Sequence, residues 1–286
     1  DMDRRLDLTA LSDYLSYRHT LGERTFYQDV LSLEPGCHLV IEGNNQSIQR
    51  YWELPIIGDK QDPGEEEALA EFSELFESSV RYRMVADVPV GAYLSGGVDS
   101  ALVAAAMVRA SDQVKTFTVG FADVPAYYEE RPQARQVAQA LGTDHTEIEL
   151  GASEALAAVE PMFDGLDEPF ADSSALPSFI LARETRRHVA VALSGDGGDE
   201  VFGGYRLYQG ELYADAYQRV PKVLRHGLIE PAARLLPDDK GGRFSEKARR
   251  LRRFIDHAGK AAVERRAGLA RLLSEPELDH LLVHGR

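Results

Sequence analysis

The chain has 286 residues, 44% hydrophobic and 28% charged, which is enough to bury a sizeable core and suits about two soluble domains. Its net charge of −15 argues against nucleic acid as the main partner, because a phosphate backbone repels such a surface unless a basic patch is set aside. Cys37 is the single cysteine, which excludes an internal disulfide and a cysteine zinc cluster, and no apolar run reaches the ~18 residues a membrane span needs.

These features fit a cytoplasmic protein without a membrane partner. The N-terminus "DMDRRLDLTA" has no apolar signal core, so the Asn45-Gln46-Ser47 glycosylation pattern carries no meaning without secretion. Opening without an initiator methionine and stopping at "LLVHGR", the chain reads as a fragment.

In chain order, residues 1–54 carry one helical pattern, "LTALSDYLSYRH", then two strand-like runs, "HLVIE" and "SIQRYWEL", around the turn-forming "GNN". That is too little to close a core alone and reads as the end of a larger β-rich unit. Cys37, beside the first strand, is expected to be a buried structural thiol rather than a nucleophile. Residues 55–67 read as a linker, rich in Pro and Gly and then acidic, where acidic side chains suit the helix N-terminus that follows.

Past the linker, Leu69, Phe72, Phe76, Val80 and Met84 recur at spacings of three and four and predict an amphipathic helix. Strands are then predicted at 88–94, 114–121, 145–150 and 189–193. Helices are predicted at 98–109, 130–141, 152–163 and 175–188, with another from about Asp199. The helix at 98–109 is expected to bury Val98, Ala101, Leu102, Ala105 and Val108. This alternation predicts an α/β fold, a parallel β-sheet with helices on both faces and right-handed crossovers. The α/β core would span about 68–210. Beyond Tyr205 the pattern is helical only, giving a helical extension over 211–286, in which the basic stretch "RFSEKARRLRRF" reads as a solvated helix face.

Two glycine-rich loops fall at the carboxyl edge of that sheet, where open α/β proteins hold ligands. In "SGGVDS" (95–100), Gly96 and Gly97 let the backbone approach a ligand closely, and the loop amides with the next helix N-terminus make a cup for an anion. Ser95 and Ser100 add hydroxyls. Asp99, a carboxylate beside an anion cup, makes sense if Mg²⁺ bridges it to phosphate. In "SGDGGDE" (194–200), Asp196, Asp199 and Glu200 place three carboxylates in five residues, a pattern that suits a metal and acid/base cluster. Walker, HExxH and GxSxG motifs are absent, and Glu200 stands where a dinucleotide fingerprint needs its third glycine.

"SGGVDS" resembles the pyrophosphate loop of ATP pyrophosphatases of the adenine nucleotide α-hydrolase type. With "TFTVGF", "DEPFADSSALP" and "SGDGGDE" at their spacings, residues 54–210 resemble the synthetase domain of glutamine-hydrolysing asparagine synthetases, and residues 8–54 the tail of that family's N-terminal-nucleophile glutaminase domain. The resemblance implies ATP and Mg²⁺ as cofactors, and aspartate with ammonia, ultimately from glutamine, as substrates. Homodimers are also implied.

Residue by residue, it implies that Ser95, Gly96, Gly97, Val98, Asp99 and Ser100 hold pyrophosphate and that Asp99 and Asp199 hold the metal. Tyr93, Leu94, Val119, Ser194 and Gly195 would meet adenine and ribose, largely through backbone. Asp196 stands at the position of an acidic residue needed to form the intermediate, with Asp99 and Asp199 beside it in the catalytic set. Asp172 and Ser173 either line the aspartate pocket or cap the next helix. The family's N-terminal cysteine nucleophile is missing, since the chain opens with Asp1, so glutamine hydrolysis is expected to be absent. No match to the family's later phosphate-steadying basic residue stands in 210–286. Relatives acting on another acid (lasso-peptide cyclases, β-lactam synthetases, sugar-acid amidating enzymes) and a non-catalytic nucleotide-binding module remain open alternatives.

Overall fold

The computed structural model describes residues 4–55, 63–122, 129–236, 243–273 and 275–282. Two compact units divide the chain. One holds residues 1–21, 26–28 and 198–286, and the other holds residues 22–25 and 29–197. The expected boundary at 54–67 falls inside the second unit, with residues 56–62 outside the described residues, and the one at 210 falls inside the first.

The second unit contains a parallel sheet of β3 (Val90–Tyr93), β4 (Lys115–Phe121), β5 (Asp144–Leu150) and β6 (Val191–Leu193), in the order β5-β4-β3-β6. Helices α2 (Glu65–Arg83), α3 (Val98–Ala110), α4 (Arg131–Leu141), α5 (Ala152–Asp164) and α6 (Ala175–Thr185) separate the strands or flank them. All four expected strands are present, shortened at β3 and β6. Helix α6 stops at Thr185 rather than 188.

Period-two alternation along the strands sends side chains to two faces. Ala92, with Val90 and Leu193 beside it, packs against Val80 of α2 and Val103, Ala106 and Met107 of α3. Leu94 meets Ala104 together with Ala134 and Ala138 of α4. The opposite face sends Val119, Phe121, Ile148 and Leu150 against Ala158 of α5 and Ile180 of α6. The sheet is therefore covered on both sides, as the alternating pattern requires.

One predicted face is wrong. Helix α3 buries Ser100, Val103, Ala104, Ala106 and Met107, whereas Val98 and Leu102 are exposed. This helix is apolar nearly all round, so periodicity carries little information and packing between α2 and α4 chooses the face. In α2 the apolar stripe is buried only from its middle onward: Phe76, Val80 and Met84, the residue just past its end, reach the core, while Leu69 is exposed.

Before the sheet, β1 (Cys37–Glu42) and β2 (Asn45–Arg50) form an antiparallel hairpin closed by Gly43 and Asn44, with Gly43 at φ +63. Val40, Ile41, Ile48 and Trp52 are exposed there. Cys37 is correspondingly half-buried, not buried as expected, because β1 is exposed along the rest of its length.

The first unit is helical. Helix α1 (Leu8–Tyr17), capped by the Asp7 carboxylate accepting from the Thr9 and Ala10 amides, is joined by α7 (Gly198–Phe202), α8 (Arg206–Gln218), α9 (Lys222–Leu224) and α10 (Glu230–Arg234). Helices α11 (Arg243–Ala258), α12 (Ala262–Ala270) and α13 (Glu275–Leu281) complete it. A π-helical turn, Arg225–Ile229, joins α9 to α10. Buried Arg265 donates to both Glu211 oxygens, at 3.0 and 2.6 Å, and ties α12 to α8. Helix α11 buries Ala248, Ile255 and Ala258, with Lys247, Arg250 and Arg253 exposed as a solvated basic face. Among the described residues, no helix is long and apolar enough to cross a membrane.

Met107 is fully buried between α2, α3 and the sheet. Met107→Ala should lower unfolding stability by about 2–5 kcal/mol through lost burial and a residual cavity, measured by denaturant titration.

Candidate active site

Successive strands β3, β4 and β5 step outward on one side, and β6 returns to the other side of β3. The strand order therefore reverses between β3 and β6, and the crevice at their carboxyl ends is where an open α/β sheet holds a ligand. Both glycine loops leave from those two strand ends.

The first loop is a hydroxyl-braced turn. Ser95 N donates to Ser100 Oγ at 3.2 Å, Gly97 N donates to Ser95 Oγ at 3.2 Å, the two hydroxyls lie 3.0 Å apart, and Ser100 Oγ donates to Gly97 O at 3.2 Å. Ser100 is buried. Its hydroxyl braces the loop by bonding Ser95 and Gly97.

Gly97 caps α3 without a side-chain acceptor, so the first-turn amides of Val98, Asp99 and Ser100 face outward beside the positive end of the helix. Gly96 adopts φ +80, and a Cβ on it would lie 2.6 Å from Gln133 Cβ and 2.9 Å from the Ala134 amide nitrogen. The loop is thus seated against the first turn of α4.

The second loop meets the first through one atom-scale fit. A Cβ on Gly195 would stand 2.7 Å from the Ser100 amide nitrogen and 3.0 Å from Asp99 Cβ, so only glycine lets this backbone lie on the start of α3. Tyr93, Leu94, the 95–100 loop and Ser194 to Asp196 are brought together within one unit. Leu94 is buried and donates its amide to Phe117 O, Tyr93 is half-buried with its phenol pushed up by that burial, and Val119 lies partly buried in the α5/α6 layer. Asp199 belongs to the other unit.

Of the three carboxylates of 194–200, Asp196 lies in the second unit and Asp199 and Glu200 in the first. Asp196 accepts from the Ser194 hydroxyl at 2.8 Å, and Glu200 accepts from the Tyr205 hydroxyl at 2.6 Å. That bond holds Glu200 below the usual carboxylate range and pushes the Tyr205 phenol up to about 12. Asp199 folds over Gly204, whose amide donates to Asp199 O at 3.0 Å and which has no room for a Cβ. Asp196 and Glu200 each accept from a nearby hydroxyl, whereas the Gly204 bond goes to the main-chain oxygen of Asp199. Among the described residues no three His, Cys, Asp or Glu side chains gather as metal ligands. What remains, a half-buried Asp99 beside an uncapped helix start, is an all-oxygen donor set that fits Mg²⁺ held by one or two carboxylates together with phosphate.

Asp172 Oδ1 accepts from the Ser174 amide at 2.8 Å, an Asx turn just before α6, whose N-cap Ser174 makes no side-chain cap bond. A feature missed in the sequence is Arg131. It opens α4, bonds Glu129 through Nε (2.8 Å) and Nη2 (2.6 Å), and bonds Glu149 of β5 through Nη1. The Arg131 guanidinium bonded to it holds the Glu129 carboxyl below its ordinary range. A cation in the first turn of a helix opposes the dipole, and that misplacement was the available signal.

An α/β protein with an amide cup at its switch point belongs to the class that holds anionic ligands on backbone. The asparagine synthase family model matches residues 71–282, and the chain belongs to that family. A Mycobacterium tuberculosis protein named as an asparagine synthetase is 33% identical, over 98% of this chain and 42% of its own length. The glutamine-hydrolysing asparagine synthetase 1 of Bacillus subtilis is 29% identical, over 99% of this chain and 43% of its own. Amidase chyE of Penicillium rubens is 26% identical, over 87% of this chain and 40% of its own. The chain spans less than half the length of these relatives.

Gly195→Ala should speed amide hydrogen exchange at Gly96 to Ser100 at least tenfold, because the added Cβ forces the two loops apart. Unchanged exchange there would contradict the fit described.

Proposed function

We propose that this chain is the ATP-dependent half of an amide ligase that adenylates the β-carboxylate of aspartate and passes the acyl group to ammonia. The observation that carries this reading is the seating of Gly195 on the start of α3, which puts both family loops around one amide cup. Family membership supports ligase chemistry with ATP.

In the proposed reaction an aspartate β-carboxylate oxygen attacks the α-phosphorus of ATP. The bond from that phosphorus to the bridging oxygen of the β-phosphate breaks, and pyrophosphate leaves. Ammonia nitrogen then attacks the activated carbonyl carbon, the carbon–oxygen bond to AMP breaks, and AMP departs with asparagine formed. Charge grows on the β-phosphate side during the first step, and outward-facing amides of Val98, Asp99 and Ser100 are set to stabilise it without reorganising. Asp99, joined by Asp199, would hold Mg²⁺, which when bound neutralises phosphate charge. Asp196, exposed and hydrogen-bonded to Ser194, would serve the step that forms the intermediate.

Strand-end backbone at Tyr93, Leu94, Val119, Ser194 and Gly195 would receive adenine and ribose. The exposed apolar hairpin β1–β2 supports reading residues 1–54 as the tail of a glutaminase domain that delivers the ammonia, so the chain itself would use free ammonia. A cytoplasmic setting and a homodimer complete the proposal.

The test is product analysis with ATP, Mg²⁺, ammonium and one carboxylic acid at a time. AMP, pyrophosphate and asparagine should appear with aspartate, and Asp99→Ala or Asp196→Ala should reduce them at least 100-fold. AMP formed with a different acid would reassign the substrate, as the amidase relative makes worth including. ADP would contradict attack at the α-phosphorus, and ATP binding without any product would favour a binding module.

A further inference from the structure

Arg131 belongs neither to the cup nor to the crevice, yet it opens the helix turn against which Gly96 of the cup is seated. Its side chain is 16% exposed, and Glu129, its bidentate partner, is 17% exposed. The guanidinium also reaches Glu149, near the carboxyl end of the edge strand β5. Beneath it lies Gly120 of β4, where a Cβ would come within 2.4 Å of Arg131 Nε and 2.7 Å of Glu129 Oε1. One cation therefore joins the segment before α4, the first residue of α4 and the ends of two strands. Two and three residues on, Gln133 and Ala134 form the wall against which Gly96 is seated at φ +80.

A non-exposed ion pair of this kind is costly to break from one side, since it leaves carboxylates without their counter-charge. A second pair on the same two elements does not share the location. Arg135, one turn further along α4, donates to both Glu147 oxygens at 2.6 Å, lies 55% exposed, and touches neither Gly120 nor the loop. The two pairs have similar chemistry and bridge the same helix and strand, but it is Arg131 that lies against Gly120 and opens the turn that runs into Gln133, whereas Arg135 follows Ala134 and is the more exposed.

From this we infer that Arg131 is a positioning residue for the pyrophosphate loop: the Glu129–Arg131–Glu149 clamp fixes the first turn of α4, and that turn fixes the backbone at Gly96 and hence the cup. The clamp as a determinant of loop geometry follows from contacts within one unit. Its consequence for ATP rests on the proposed function.

The experiment compares Arg131→Met, Arg131→Lys and Arg135→Met in the full chain. Three readouts are taken: thermal midpoint, amide exchange at Gly96 to Ser100 without ligand, and Mg·ATP affinity by calorimetry. Arg131→Met should speed exchange in the loop at least tenfold and weaken ATP at least tenfold. Arg131→Lys should recover part of both, and Arg135→Met, which breaks a more exposed pair, should leave both within twofold and lower the midpoint less. Should Arg131→Met fail to fold, Glu149→Gln removes one arm of the clamp and should shift loop exchange in the same direction by a smaller factor. Equal loop effects from the Arg131 and Arg135 variants, or wild-type exchange in Arg131→Met and Glu149→Gln, would overturn the inference. Loss of ATP binding in the wild-type chain would overturn the functional reading instead, and loop exchange would still decide the clamp.

Discussion

The site depends on one steric condition: the backbone after β6 must lie directly on the first turn of α3. Gly195 meets it because the place a Cβ would occupy is already filled by the Ser100 amide and the Asp99 side chain. The reversal of strand order between β3 and β6 puts the two strand ends side by side, and glycine lets the loops leaving them touch. From that contact comes the approach of Asp196 to the start of α3, while the seat of Gly96 is supplied by Gln133 and Ala134 of α4. Replace the glycine with any other residue and the loops must separate before a ligand is considered.

Charge makes the same condition more demanding. The chain carries a net charge of −15, so a polyphosphate approaches a repelling body and must find its compensation locally. Backbone amides at the start of α3 supply it without adding a flexible cation, and a divalent ion at Asp99 would complete it. Within the second unit Asp196 accepts from Ser194, and within the first Glu200 accepts from Tyr205. A cup built from dipoles suits an anion that arrives with its own metal.

Much of this was legible in the sequence. Short apolar strands alternating with amphipathic helices gave the order and type of nearly every element, since period two and period 3.6 are distinct signals over such lengths. The two loops were legible too, because glycine pairs directly after apolar strands have few other uses. The buried face of α3 was not, as an all-apolar helix has no periodicity to read. Nor could the exposure of Leu69 and of Cys37 be read, because both depend on which neighbours cover them. The hydroxyl partners of Asp196 and Glu200, Ser194 and Tyr205, could not be read from spacing either. Arg131 was passed over as an ordinary helix start, although its charge opposes the dipole there; only the fold brings Glu149, distant in sequence, to its side.

The most direct test of the account is a crystal structure of the chain with Mg²⁺ and an ATP analogue whose α–β bridging oxygen is replaced by methylene. The account predicts the β- and γ-phosphates on the amides of 96–100, with the metal at Asp99 and the base against the ends of β3 and β4. A nucleotide bound elsewhere, such as the cavity of about 640 Å³ lined by Val90, Lys115 and Asp144 at the opposite edge of the sheet, would contradict it.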